Sequence, residues 1–220
     1  MKVAIVYRGN IRGFKYEECF RTHKKLYDDL FNNNIEFDTY LCTNNIEYDD
    51  INVNKIINLK GKYILDINDI HNKDVYHKVY QNIKFKTQGW SNKFQNNIIT
   101  YWYNNNYLFD RITINYDKYL LIDIAHIIDK FDIKLLYDDQ NYVSTFESNN
   151  GYNTRLMIAD YSLYKTIMTQ FDYINNNNNN NLDYQNPEEF NKCLLNKHNI
   201  IKTDKIKIFR IRFDRTILKF

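Results

Sequence analysis

The sequence predicts an α/β fold: a mainly parallel, mixed central sheet flanked by helices. Three observations predict it. Short apolar runs bounded by turn residues, KVAIVY (2–7) and IEFDTYLCT (35–43), alternate with segments whose apolar residues recur at helical spacing. The first two runs are joined through a helical segment, which makes a β-α-β unit with parallel strands and a right-handed crossover. With 220 residues and 44% hydrophobic content, the chain can bury one sizeable core. The expectation is one domain over residues 1–220, with a flexible surface loop at 175–181.

The elements follow in order. Residues 2–7 are a buried strand, short and β-branched. Residues 16–31 form an amphipathic helix with Phe20, His23, Leu26, Tyr27, Leu30 and Phe31 on one side. After an Asn turn, 35–43 is the second strand. KIINL (55–59) and KYILDI (62–67) read as two strands, or as one strand and a connector; 72–86 reads as helix. Residues 90–108 form a long helix with Phe94, Ile98 and Trp102 on a shared face. RITIN (111–115) and KLLYD (134–138) read as strands, and 156–171 as a strand running into a helix. The seven asparagines at 175–181 have no apolar area to bury and form a loop. NPEEFNKCLLNKH (186–198) is a helix with its start marked by a capping Asn186, Pro187 and the acidic pair Glu188-Glu189. KIKIFRIRF (205–213) alternates as a strand.

Composition excludes several function classes. The net charge is +3 with no lysine-rich block, so nucleic acid is not an expected partner. Cys19, Cys42 and Cys193 lie far apart with no CxxC pair, which argues against zinc or a disulfide scaffold and for a reducing compartment. No run of about 18 apolar residues exists, and Arg8 interrupts the apolar start, so no membrane span or signal peptide is expected. The reading is a soluble, cytoplasmic protein. The 20 Tyr, single Pro and abundant Asn, Ile and Lys are a skew toward AT-rich codons, as in the genomes of some large DNA viruses and protists.

In open α/β sheets the ligand lies beyond the carboxyl ends of the strands. The candidate residues are therefore those that end strands. YRGNIRG (7–13) follows the first strand: Gly9 and Gly13 permit positive φ or close backbone approach, and Arg8 and Arg12 are planar forks suited to phosphate. The spacing is neither GxGxxG nor a Walker loop. The bland reading is a turn with two solvated arginines. RITIN ends at Tyr116-Asp117, where a strand-end carboxylate can hold a divalent cation that bridges a diphosphate; Asp123 and Asp138-Asp139 are other acidic candidates, and a turn-capping aspartate is the plain alternative. In NNGYNTRLMIAD (149–160), Arg155 can contact phosphate or a sugar hydroxyl, and Asp160 can cap the following helix. No histidine pair has metal spacing and no GxSxG elbow occurs. Trp90 and Trp102 are a conceivable sugar platform, with core packing the stronger reading for Trp102.

Taken in order, these stretches resemble a loose group of GT-A-type nucleotide-sugar glycosyltransferases with viral and bacterial members. The group's "RGxxRxF" after the first strand corresponds to Arg8-Gly9-Asn10-Ile11-Arg12-Gly13-Phe14. Its "DxFxxT" corresponds to Asp38–Thr43, its helix-start Trp and Ser to Trp90-Ser91, and its "YDxxIRxRxD" to FDRITINYD (109–117). "NDRF" corresponds to Asn153-Thr154-Arg155-Leu156, and a late "PE" helix to Pro187-Glu188. Two positions depart: Asn115 stands where the group has arginine, and Thr154 where it has an acid. The resemblance implies a Rossmann-like, GT-A-like domain, a nucleotide-diphosphate sugar donor, Mn²⁺ or Mg²⁺, and transfer to a glycan or protein hydroxyl. It implies Asp117 as metal ligand, and Arg8, Gly9 and Arg12 at the nucleotide, with Arg155 at the donor sugar or phosphate. Asp138, Asp139 or Asp160 would be the carboxylate base. A degenerate transferase that binds nucleotide or nucleotide sugar without catalysis is the second reading. A nucleic-acid-processing protein is the third, opposed by the balanced charge.

Overall fold

The computed structural model describes residues 1–9, 16–44, 55–86, 92–145, 151–177, 182–211 and 217–218. In chain order the elements begin β1 (Lys2–Arg8), α1 (Glu17–Asn32), β2 (Glu36–Asn44), β3 (Leu59–Leu65), α2 (Ile67–His71), α3 (Asp74–Asn82), β4 (Ile83–Phe85) and α4 (Asn92–Phe109). They continue with β5 (Lys118–Asp123), β6 (His126–Phe131), a 3₁₀ turn (Ile133–Tyr137), β7 (Asn141–Ser144), β8 (Leu156–Ala159), α5 (Tyr161–Met168) and α6 (Gln170–Asn176). Last come β9 (Leu182–Tyr184), α7 (Pro187–Leu195), β10 (Ile200–Thr203), β11 (Ile206–Ile211) and β12 (Ile217–Leu218).

Seven strands form the central sheet in the order β10-β7-β8-β5-β1-β2-β3. All run parallel except β8, which is antiparallel to both β5 and β7. The fold is thus α/β with a mostly parallel, mixed sheet flanked by helices, as the sequence predicts. β1 occupies the interior because it is apolar on both faces, the pattern of a strand covered on both sides. Val3, Ile5 and Tyr7 pack with Leu26, Tyr27 and Leu30 of α1 and with the β6–β11 pair. Ala4 and Val6 pack on the other side with Leu108 of α4 and with Leu163, Tyr164 and Ile167 of α5. A third cluster joins Ile99 and Trp102 of α4 to Phe171 and Phe190, so Trp102 is core and its ring sits 5.0 Å from Phe190. Trp90 and Ser91 lie outside the described residues.

Several predicted elements move. RITIN is not a strand: Ile112 is buried, but Thr113, Ile114 and Asn115 are exposed beyond the end of α4. The central strand starts just after it, at Lys118, as the continuous run KYLLI that parallel interior strands favour. KLLYD lies mostly within the 3₁₀ turn, whose start Asp132 caps by accepting from Lys134 N–H at 3.1 Å. The two candidate strands at 55–67 are one strand, β3, entered through Asn58 at φ 54°. Residues 74–82 are helical as expected, but 83–85 turn into a strand that pairs with β9. Phe31, on the expected apolar face of α1, is 51% exposed. Asn175 and Asn176 end α6, and 178–181 lie outside the described residues.

α7 begins as predicted. Asn186 Oδ1 accepts the Glu189 N–H at 2.8 Å, and Pro187 fills the first helical position. Asn186→Ala is expected to lower the unfolding free energy by about 1 kcal/mol, read as a reduced urea midpoint at unchanged slope.

Candidate ligand site at the carboxyl edge

β1 and β5 are adjacent and parallel, so they end together, with Arg8 in register with Asp123. β8 runs the other way. Its first residue, Leu156, is therefore at this same edge, opposite Ile122, and it delivers Asn153, Thr154 and Arg155 to the site. The segment is fixed locally: Asn153 Oδ1 accepts the Arg155 N–H at 3.0 Å, and the Arg155 carbonyl accepts the Asp123 N–H at 2.8 Å. The Ile124 N–H in turn donates to the Arg8 carbonyl at 3.1 Å.

α4 lies across the strand ends on the face to which Arg8 and Asp123 point. Tyr101 donates its hydroxyl to Asp123 Oδ1 at 2.7 Å. The Arg8 guanidinium sits 5.3 Å from the Tyr101 ring centre, donates through Nη2 to the Thr154 carbonyl, and lies 3.6 Å from Asp123 Oδ1. Arg8 is only 1% exposed, yet its Nε and Nη1 have no hydrogen-bond partner among the described residues. Burial pushes the Tyr101 hydroxyl well up, Asp123 adds to that and the two arginines oppose it, so the phenol stays a donor. Gly9 follows Arg8 at φ +84°, a conformation other residues adopt only with strain. A Cβ there would meet the Tyr101 ring at an ordinary 3.7 Å, so the backbone angle and not space selects glycine.

A second layer holds the turn that follows Asp123. On the α1 side, Cys19 Sγ lies 3.4 and 3.2 Å from the carbonyl oxygens of Ile124 and His126. His23, fully buried, contacts the same His126 carbonyl through Nε2 at 2.8 Å and Tyr7 Oη through Nδ1 at 2.9 Å. A carbonyl only accepts, so Nε2 carries the proton and Nδ1 accepts from Tyr7. Tyr7, with its proton committed, accepts from Tyr27 at 2.8 Å.

The structure brings together three of the predicted site residues, Arg8, Gly9 and Arg155, and adds Asp123, Tyr101 and the Thr154 carbonyl. Arg12 lies outside the described residues. Asp117 is at the opposite, amino edge, because β5 begins there and does not end there: its carboxylate accepts the Lys2 N–H at 2.7 Å and its own N–H donates to Lys2 O at 2.9 Å. Asp138, Asp139 and Asp160 are at that amino edge too, where β7 starts and β8 stops. Asp160 caps α5 through the Leu163 N–H at 2.7 Å and accepts from Asn141 Nδ2 at 3.0 Å. Asp138 accepts from Tyr142 Oη and from the Gln140 N–H.

The resemblance implies a divalent cation, and the described residues at the carboxyl edge do not make its ligand set. Asp123 already accepts from Tyr101 and faces a guanidinium, and two residues on stands Ala125. Among the described residues, no three of His, Cys, Asp and Glu converge for a metal.

A cavity of about 660 Å³ opens at the amino edge between Lys2, Phe31, Phe37, Asp38 and Lys60. Its buried carboxylate, Asp38, is satisfied. Asp38 pairs with Lys2 at 3.0 Å and accepts from Tyr116 at 2.8 Å, and Tyr116 accepts from Tyr40 at 2.7 Å. Burial opposes ionisation of Asp38, but these bonds outweigh it and hold the carboxyl below its ordinary range. The site is assigned to the carboxyl edge because buried donors there are left open.

No protein-family model and no curated protein matches this sequence. Among solved structures, the chain path is similar to the crystal structure of mouse xyloside xylosyltransferase 1 in its apo form. The TM-score is 0.48 and the identity 8%, over 93% of this chain and 86% of that one. Among the described residues no helix is long and apolar enough to cross a membrane.

Proposed function

We propose that this chain binds a nucleotide-diphosphate sugar at the carboxyl edge of β1 and β5 and transfers the sugar to a glycan or protein hydroxyl. One observation carries the reading: a guanidinium 1% exposed, with two N–H donors open, at the ligand edge of an α/β sheet. Buried donors without partners cost about 1–3 kcal/mol each, and an anion relieves that cost. In sugar transfer the bond from the anomeric carbon to the diphosphate oxygen breaks and its electron pair leaves with the diphosphate. Donors fixed where that charge develops, in a low-dielectric site, stabilise the transition state. Arg8 is fixed by Asp123, Tyr101 and the Thr154 carbonyl; Arg155 is the second cation beside Tyr101. The motif resemblance at residues 8–14 and 153–156 supports the same donor class.

Binding without catalysis is the second reading. It is favoured by Asp123 being engaged by Tyr101 and Arg8, and by the placement of Asp138, Asp139 and Asp160 at the far edge, which leaves the acceptor's proton without an assigned base.

The test is a thermal-shift panel of nucleoside diphosphates and nucleotide sugars, followed by hydrolysis of the best donor without acceptor. A raised midpoint supports binding, and turnover separates transferase from binder. Arg8→Lys keeps the charge but loses the planar fork. It is expected to weaken nucleotide affinity by roughly 10- to 100-fold, the loss of one charge-assisted contact of about 1.5–3 kcal/mol. Wild-type affinity in that variant would place the ligand elsewhere.

A further inference from the structure

We infer that the diphosphate is held at this edge by arginine alone, with no bridging divalent cation; the inference rests on the nucleotide-diphosphate reading above. Four observations converge on it. The carboxylate in register with Arg8 is Asp123, and its Oδ1 accepts the Tyr101 hydroxyl and lies 3.6 Å from the Arg8 Nη2. That oxygen orients a cation the protein already owns, and a metal ion drawn to it would stand beside a like charge.

Next, the described positions beside Asp123 hold other chemistry. Ala125 follows two residues after Asp123 in the turn to β6, and Thr154 contributes a carbonyl that Arg8 itself uses. Third, Asp117, the strand-flanking carboxylate the resemblance assigns to the metal, is at the other end of β5 and is bonded to the Lys2 backbone. Fourth, the open donors at the site belong to Arg8. Nε and Nη1 are both open, and because the Nε–H points to the Nη2 side of the guanidinium while Nη1 faces the other way, each can meet its own anionic oxygen.

The experiment is isothermal titration of the full chain with UDP, GDP, CDP and ADP, each in excess EDTA and again in Mn²⁺ without EDTA. The expected result is that at least one diphosphate binds in EDTA, that its Kd changes less than about threefold in Mn²⁺, and that Arg8→Lys weakens it tenfold or more in both buffers. Binding that appears only with Mn²⁺, or tightens tenfold or more with it, overturns the inference and leaves the nucleotide reading standing. Binding of none of the four in either buffer overturns both. The wild-type comparison needs no variant, so a misfolded Arg8→Lys does not blunt the test.

Discussion

Gly151→Ala is expected to lower the unfolding free energy by about 3 kcal/mol, the upper end of the range for overpacking. A Cβ on Gly151 would stand 1.9 Å from the Glu188 carbonyl oxygen, 2.1 Å from its carbon and 2.8 Å from the Glu189 nitrogen. These are backbone atoms in the first turn of α7, which the Asn186 cap and the Tyr152 N–H bond to Glu188 O at 3.2 Å hold in place. No side chain can swing aside to make room. The helix must shift, or the 151–155 segment must, and that segment carries Thr154 and Arg155. Chemical denaturation should show a lower midpoint with little change in slope, and a thermal midpoint lower by roughly 6–12 °C. Nucleotide affinity should fall with it. A variant within 0.5 kcal/mol of the wild type would mean that the 151–155 segment is not seated on α7.

The second large effect is acid sensitivity through His23. Burial lowers its pKa to about 4, against an ordinary value of 6.5, and the bond to the His126 carbonyl only partly opposes this. The folded state therefore refuses a proton that the unfolded chain accepts between those two values. Stability attached to His23 is intact above pH 6.5, falls as pH drops toward 4, and levels off below. The loss is roughly 3 kcal/mol. Protonation would also put a hydrogen on Nδ1 and turn the Tyr27–Tyr7–His23 chain of donors against itself. His23→Gln should be less stable than the wild type at pH 7 yet show a flatter profile between pH 6.5 and 4. Parallel profiles for the two proteins would show that another group carries the acid response.

Much of this was legible from residue patterns, for identifiable reasons. β1, α1, β2, α4, β8 and α7 announce themselves through apolar runs, helical spacing and a cap. Arg8 and Gly9 were readable because β1 is unmistakable and its end is therefore certain. Asp117 misled for the converse reason. RITIN is β-branched and looks like a strand, whereas the true strand, KYLLID, is built on leucines that suit helices equally well. With the strand misplaced, Asp117 stood first and Asp123 only as an alternative, and the two lie at opposite ends of β5. Arg155 was found, but as a residue before a strand. Its arrival at the site depends on β8 being antiparallel, and no local pattern carries strand direction. Tyr101 carries no signal of its own in the sequence: its ring packs against the core beside Trp102, and only the neighbouring Asp123 makes its hydroxyl part of the candidate site.

The sheet order has a consequence for how the site comes into being. Arg8 bonds a carbonyl 146 residues further on, and its strand pairs on one side with β2 but on the other with β5. During synthesis the β1-α1-β2 unit is complete once residue 44 is made, while the partners that bury Arg8 arrive at residues 101, 123 and 154. Domains dominated by such distant pairings fold slowly, since long loops must close before the contacts reward them. The nascent chain thus carries a bare guanidinium and an unpaired flank of its central strand through most of its elongation. A partly made protein is exposed to wrong strand pairing at the very edge where we propose the nucleotide binds.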